Sequence, residues 1–373
     1  MRCVIAGGGT GGHLFPGIAI AEAFIEKELG NEVLFIGTEK GIEARVLAGG
    51  RFPLRMIQAR PLKGESFMAQ MKTLWTLPRA IFQARSILGD FRPQVVLGVG
   101  GYASGPALIA ALLSGMKRTI HEQNVVPGMT NRLLKWISER IFVSFEETQH
   151  YFPERKTVVT GTPVRKDFLS RLSKTQVGKA VPGKGDRFTL LIFGGSAGAH
   201  RINVAMMDAL STLGEKKVSV RFIHQTGEAD FDFVSRGYQA HGFEAQVKPF
   251  FEEMASCYAA SDLVVCRAGA STIAELAICG KAAVLIPYPH AAHQHQLLNA
   301  QQLVERGAAR LIRDEALNGG LIAETILELY DHPEKRVRMG QAIQEMSRPR
   351  AAQEIVEGCY RLIHSDPPAS VGS

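Results

Sequence analysis

The chain has 373 residues, 46% of them hydrophobic, five cysteines and a formal net charge of +7. That length exceeds the span over which one hydrophobic core keeps growing, so two domains are expected, and the apolar content excludes a disordered chain. An odd number of cysteines without a CxxC pair reads as buried thiols rather than a disulfide framework, and the positive charge points to an acidic partner.

In chain order, Met1 leads straight into an apolar strand at 3–6, without the pattern of a signal peptide, so a cytoplasmic location is expected. A glycine run follows, Gly7-Gly8-Gly9-Thr10-Gly11-Gly12-His13, and then a helical periodicity over 18–29. Further strands are expected at 32–36, 94–97, 118–121, 140–143 and 157–160. Between them, Phe67, Met68, Met71, Leu74, Trp75, Leu77, Ile81 and Phe82 interleave with Lys63, Lys72, Arg79 and Arg85. Pro78 is expected to separate two helical pieces there. This segment fits either contact with an anionic membrane surface or core packing with a solvated face. The uncharged stretch 95–116 is long enough to cross a bilayer, but its glycines and Pro106 make strand, loop and buried helix the better reading.

The same sentence of residues then recurs half a chain later. A strand at 190–193 runs into Gly194-Gly195-Ser196-Ala197-Gly198-Ala199-His200 and a helix over 203–213, followed by strands at 218–224, 262–266 and 282–286. Strands alternating with helices imply two parallel-sheet domains. We place them at 1–163 and 188–350, joined by a linker at 164–187, with a helix at 351–364 able to pack back on the first and a disordered tail at 365–373.

Glycines before a helix let backbone N–H groups approach an anion, so phosphate is the natural guest of both loops. Gly7, Gly9 and Gly12 formally match GxGxxG, but the acid a dinucleotide fold needs after its second strand is missing, since Glu39 arrives late. Two loops on two domains suit a donor and an acceptor, as in an inverting glycosyl transfer, which requires a base and stabilisation of a departing diphosphate. His13 fits that base, or else only holds the loop as a first-turn residue. The helix starts at Ser196 and at Gly269-Ala270-Ser271 fit the diphosphate without a metal. The acidic pair Asp230 and Asp232 reads as a solvated helix face, and 289–296 as a polar helix start rather than a zinc site. No zinc-finger spacing, RNA-binding aromatic signature or long basic run is present, which places nucleic acid last among partners.

Jointly, the loop ending in His13, Gly98-Val99-Gly100-Gly101-Tyr102-Ala103-Ser104-Gly105-Pro106 and His121-Glu122-Gln123-Asn124 resemble the first domain of the MurG family. Gly161-Thr162-Pro163-Val164-Arg165, Gly194-Gly195-Ser196, Cys266-Arg267-Ala268-Gly269-Ala270-Ser271-Thr272-Ile273-Ala274-Glu275 and His295-Gln296-Leu297-Leu298-Asn299-Ala300 resemble its second. The resemblance spans residues 3–362. It implies an α/β chain of GT-B type, with two Rossmann-like domains facing across a cleft. It implies inverting transfer of N-acetylglucosamine from UDP-GlcNAc to the C4 hydroxyl of lipid I, at the cytoplasmic face of the cell membrane and without a cofactor. By the same resemblance Thr10, Gly11 and Gly12 line the cleft, and His13 lies near the reacting hydroxyl. Asn124, Gln296 and the neighbouring His295 meet the donor sugar, Ser196 a phosphate, Arg165 the nucleotide end, backbone at Phe251 the uracil, and Glu275 the ribose, beside the helix start Ala270, Ser271 and Thr272. Thr162 and His293-Gln294 depart from the family pattern at the rim of the second pocket. Competing readings are a UDP-N-acetylglucosamine 2-epimerase of the same fold, a nicotinamide dehydrogenase and a non-catalytic nucleotide-sugar binding module.

Overall fold

The computed structural model describes residues 1–39, 41–48, 50, 52–59, 67–172, 187–195, 197–291 and 294–364, with the backbone alone described at 45, 67–75 and 171–172. The glycine-rich stretch 177–185, the tail after His364 and Ser196 lie outside the described residues. The chain forms two compact units, Met1–Lys166 with Arg348–Ser373, and Asp167–Ser347.

The first unit is built on β1 (Arg2–Ala6), β2 (Glu32–Gly37), β3 (Leu54–Met56), β4 (Val95–Gly98), β5 (Lys117–Glu122), β6 (Arg140–Val143) and β7 (Thr157–Val159). All pair in parallel, in the order β3-β2-β1-β4-β5-β6-β7. In register, Val4 lies between Leu34 and Val96. The central residues Val4, Ile5, Val96 and Leu97 are wholly buried, because helices cover both faces of the sheet. Those helices include α1 (Gly11–Lys27), α2 (Glu43–Val46), α3 (Phe67–Phe91), α4 (Ser104–Leu113) and α5 (Met129–Leu134).

Two expectations are corrected here. The first helix starts at Gly11 rather than near residue 18, which puts His13 in its opening turn. Pro78 does not divide two pieces but lies inside the single helix α3. An interior proline costs roughly 3 kcal/mol through a lost hydrogen bond and a clash. Burial of Ala80, Ala84 and Leu88 in the same cluster as Ala107, Ala110 and Ala111 of α4 offsets that cost. The stretch 95–116 is β4, a loop and α4, and no helix among the described residues is long and apolar enough to cross a membrane.

The second unit repeats the plan. After α6 (Lys166–Leu172), which occupies part of the expected linker, come β8 (Phe188–Phe193), α7 (His200–Glu215), β9 (Val220–Gln225), α8 (Phe231–Ala240), β10 (Ala245–Lys248), α9 (Met254–Ala260), β11 (Leu263–Cys266), α10 (Ala270–Cys279), β12 (Ala283–Leu285), α11 (His295–Glu305), β13 (Ala309–Leu311), α12 (Gly319–Asp331) and α13 (Pro333–Glu345). The parallel order is β10-β9-β8-β11-β12-β13. Set side by side, both sheets show the order 3-2-1-4-5-6 of a doubly wound nucleotide fold, with β1 corresponding to β8. The last helix, α14 (Ala351–His364), belongs to the first unit, where Ala352, Ile355, Val356 and Cys359 pack among the side chains of α1. Cys3, Cys257, Cys266 and Cys359 are buried free thiols and Cys279 is half-buried.

Candidate active site

Ligands of such sheets bind beyond the carboxyl ends of the strands, where the strand order reverses. In the first unit that point lies between β1 and β4, and the loops that follow both strands are glycine loops. Gly7 and Gly101 have positive φ and pack against Gly100 and Gly8, so closely that a Cβ on either would strike backbone. Ser104 Oγ closes the junction at 2.7 Å from the carbonyl oxygens of both Ala6 and Gly100, with one hydroxyl hydrogen shared between them.

A carboxylate is already seated on this loop. Glu43, 1% exposed, accepts from Gly9 N–H at 2.8 Å, from Thr38 N–H at 2.8 Å and from Thr38 Oγ1 at 3.1 Å. In the first loop Gly9 N–H therefore has an internal partner, while the start of α1 that follows carries no side-chain cap.

His13 is half-buried in the first turn of α1, with its Nδ1 3.2 Å from Gln123 Oε1. Gln123 Nε2 lies 2.9 Å from Val99 O and 3.2 Å from His121 Nδ1. His121 Nε2 is 3.1 Å from Gly161 O. Burial lowers the His121 pKa to about 4, against the opposing pull of the Gly161 carbonyl and with a further lowering by His13, so His121 is neutral near pH 7. Glu122, also buried, spends its carboxylate on structure: it accepts from Asn124 N–H at 3.0 Å, Asn124 Nδ2 at 3.3 Å, Gly128 N–H at 3.1 Å and Asn131 Nδ2 at 2.8 Å. This fixes Asn124 at the carboxyl end of β5. Thr10 is the exposed N-cap of α1, and Gly11 and Gly12 form its start. Arg165 stands in the first unit with its guanidinium 4.9 Å from the Phe15 ring of α1.

In the second unit the reversal lies between β8 and β11, and each of these strands leads into a helix without a side-chain cap, α7 after the Gly194 loop and α10 after Gly269. The opening N–H groups of a helix have no intrahelical acceptor, and the dipole adds positive potential there, so two such starts side by side favour a diphosphate. Along α10, Ala270 is buried while Ser271, Thr272 and Glu275 are half-buried on one face, at helical spacing. Tyr258 Oη donates to Glu275 Oε2 at 3.2 Å. The ring of Phe251 is buried, and its N–H donates to Gln225 Oε1 at 2.8 Å while Gln225 Nε2 donates to Gly195 O at 2.9 Å. Gln225 thereby ties the Phe251 backbone to the glycine loop. At the start of α11, His295 and Gln296 are half-buried, and Gln296 Oε1 accepts from Tyr288 N–H at 2.9 Å. Asp230 of the acidic pair accepts from His200 Nδ1 at 2.9 Å and from Asn203 Nδ2 at 2.7 Å, which commits it to the start of α7.

Glu43, Gln123 and Gln225 carry roles that the sequence reading did not assign. The two glutamines had a usable signal, since each ends or directly follows a parallel strand at its ligand-bearing end. Glu43 had none, because only folding brings it back to Gly9.

On the surface of the first unit, Phe82 (74% exposed), Leu113 (59%), Leu133 (62%) and Trp136 (72%) stand out on or beside α3, α4 and α5. Arg79 and Arg85 are exposed near Phe82, and Lys135 Nζ lies 5.1 Å from the Trp136 ring. Side chains of Phe67, Met71, Lys72, Leu74 and Trp75 lie outside the described residues.

Two nucleotide-fold units, each with a glycine loop at its switch point followed by helix starts without side-chain caps, define a nucleotide-sugar glycosyltransferase of GT-B type. The glycosyltransferase family 28 N-terminal domain matches residues 3–143, and the family 28 C-terminal domain matches residues 189–355. A UDP-N-acetylglucosamine–N-acetylmuramyl-(pentapeptide) pyrophosphoryl-undecaprenol N-acetylglucosamine transferase of Myxococcus xanthus is 46% identical over 97% of this chain and 93% of its own. The crystal structure of Acinetobacter baumannii MurG superimposes with a TM-score of 0.76 at 29% identity, covering 96% of this chain and 99% of that one. The chain belongs to glycosyltransferase family 28 and, within it, to the MurG family. A UDP-GlcNAc 2-epimerase from Neisseria meningitidis shares the fold, with a TM-score of 0.68, 97% of this chain and 100% of that one covered, but only 15% identity.

Proposed function

We propose that the protein transfers N-acetylglucosamine from UDP-GlcNAc to the C4 hydroxyl of the N-acetylmuramyl group of undecaprenyl-diphosphate-linked lipid I, with inversion, giving lipid II for peptidoglycan synthesis. The observation that carries the donor assignment is the face of α10, where half-buried Ser271, Thr272 and Glu275 follow a helix start without a side-chain cap, beside the likewise uncapped start of α7. In the first unit the carboxylate near the glycine loop is Glu43, which is buried and accepts from Gly9 N–H. In this reading the uridine diphosphate sits on the second unit, its diphosphate at the starts of α7 and α10, its ribose diol on Glu275 and its uracil on backbone at Phe251; Ser196, outside the described residues, is assigned a phosphate. Gln296 and His295 orient the sugar.

Transfer forms a bond between the acceptor oxygen and the anomeric carbon while the bond from that carbon to the diphosphate breaks, its electron pair leaving with UDP. His13 takes the hydroxyl proton as general base. The helix starts stabilise the charge that grows on the departing diphosphate, so no cofactor is assigned. The identity of the relatives sets the epimerase alternative aside.

Purified protein incubated with labelled UDP-GlcNAc, a lipid I analogue and a chelator should move label to the lipid. Epimerised donor, or binding without turnover, would refute the reading. His13→Ala should lower kcat by about 100-fold or more, within the usual range for a lost general base, with the dissociation constant of UDP-GlcNAc nearly unchanged.

The lipid acceptor requires contact with the bilayer. We place that contact on the apolar side chains of α3, α4 and α5 with their flanking cations, at the cytoplasmic face of the membrane. A folded Phe82→Ser/Trp136→Ser double variant should lose most binding to anionic liposomes while keeping its affinity for UDP-GlcNAc. Undiminished liposome binding would remove this surface.

A further inference from the structure

We infer that Gln123 and His121 are positioning residues that hold His13 in a single tautomer, with the proton on Nδ1 and the lone pair on Nε2 ready for the acceptor hydroxyl. This rests on His13 being the base.

The arrangement is fixed by which atoms can donate. Val99 O only accepts, so the group facing it at 2.9 Å must be the amide nitrogen of Gln123, and this sets which way the amide points. The second hydrogen of that nitrogen is directed at His121 Nδ1, which must therefore carry a lone pair. A neutral imidazole has one N–H, so the His121 proton resides on Nε2, where Gly161 O accepts it. Ser144 fits the same arrangement: its hydroxyl donates to Glu122 O at 3.1 Å and receives from Thr162 Oγ1 at 2.7 Å. The chain is thus closed by two backbone carbonyls, and a single arrangement of protons satisfies it. At its other end the oxygen of Gln123 accepts from His13 Nδ1–H.

Free histidine in water favours the opposite tautomer, so the arrangement has a catalytic consequence. It leaves Nε2, the ring nitrogen not engaged with Gln123, as the basic nitrogen of His13. Gly100 packs on the His13 ring, where a Cβ would lie 2.8 Å from Cε1, and so limits ring rotation. When His13 takes the proton of the attacking hydroxyl on Nε2, the ring becomes a cation and its bond to Gln123 Oε1 becomes charge-assisted. An amide thus orients the base here as a carboxylate does in a Ser-His-Asp triad, where the wrong tautomer is deeply inactivating.

Nitrogen-15 spectra of the full chain labelled at histidine read this directly, with His13 assigned by the signals missing from His13→Ala. The expected wild-type result near neutral pH is a protonated Nδ1 and an unprotonated Nε2. Gln123→Met should shift the ring toward the Nε2–H form and lower kcat by at least about 30-fold, on the scale of a misplaced general base, with UDP-GlcNAc affinity within about twofold. If that variant is unfolded, the pair His121→Leu and His121→Asn replaces it. The leucine removes one of the two acceptors that orient the Gln123 amide and should weaken the Nδ1–H preference of His13, and the asparagine restores an acceptor where Nδ1 stood and should recover both tautomer and turnover. A wild-type His13 protonated on Nε2, or a slow variant with its tautomer unchanged, overturns the inference. A shifted tautomer with undiminished kcat overturns the base reading of His13 instead.

Discussion

Glu43 opens α2 and Glu275 lies within α10, and their partners give them opposite duties. Glu43 faces inward and holds Gly9 and Thr38, so its role ends within the fold. Glu275 is only half-buried and shares a face with Ser271 and Thr272, where a ribose diol would supply the donors that offset its desolvation. Hydrogen bonds to a charged group contribute about 1.5–3 kcal/mol. Glu275→Ala should therefore raise the KM for UDP-GlcNAc by roughly 10- to 100-fold with a much smaller change in kcat. The test specific to the diol is a donor lacking the ribose 2′-hydroxyl. Wild type should discriminate against it and the variant should not, and equal discrimination by both would remove Glu275 from the ribose.

At the scale of elements, α14 shows how chain order and spatial order part company. Its residues Ala352, Ile355, Val356 and Cys359 complete a cluster begun by Cys3, Ile5, Leu14 and Phe24, from the opposite end of the chain. Tyr360 Oη joins this packing through Asn31, which in turn donates to Phe24 O. The return is made beside Gly161, whose φ of +85° suits glycine and where a Cβ would strike Arg348. Truncating a fully buried isoleucine costs about 2–5 kcal/mol, and Ile355→Ala should lower the thermal stability of the first unit accordingly. UDP binding should survive below the transition, and loss of UDP binding in the folded variant would contradict the assignment of the donor to the second unit.

At the scale of the whole molecule, both units hide a neutral histidine. Burial lowers His121 to about 4, and lowers His224 to about 3, where Tyr238 Oη and Asn203 Oδ1 flank its ring and Asp230 pulls the other way. Between these values and the ordinary pKa of about 6.5 the unfolded chain binds protons that the native chain refuses, so stability rises with pH in that window and falls on acidification. Each group contributes up to about 1.4 kcal/mol per pH unit there. The urea midpoint should drop between about pH 6.5 and pH 5, and His224→Gln should drop less steeply. A flat profile in wild type would show that neither ring is excluded from protonation.

Much of this architecture was legible in the residues because it rests on local periodicity. Apolar strands such as Val95–Gly98, the glycine runs before helices and the recurrence of the pattern in the second half are each readable within a short window, and so are the motifs His121-Glu122-Gln123-Asn124 and 266–275. The short strands at Leu54–Met56, Ala245–Lys248 and Ala309–Leu311 escaped, since they are brief, lie toward the sheet edges and carry partly exposed residues. So did the continuity of α3 through Pro78, which is upheld by packing on α4 rather than by propensity. Sequence alone determined the two-unit plan, the family and the residues available for chemistry. Only the tertiary structure decided that Glu43 occupies the first loop and that Gln123 sets the protons of His13, because a hydrogen bond depends on which donor meets which acceptor in space, and distant segments choose their partners only when the sheet closes.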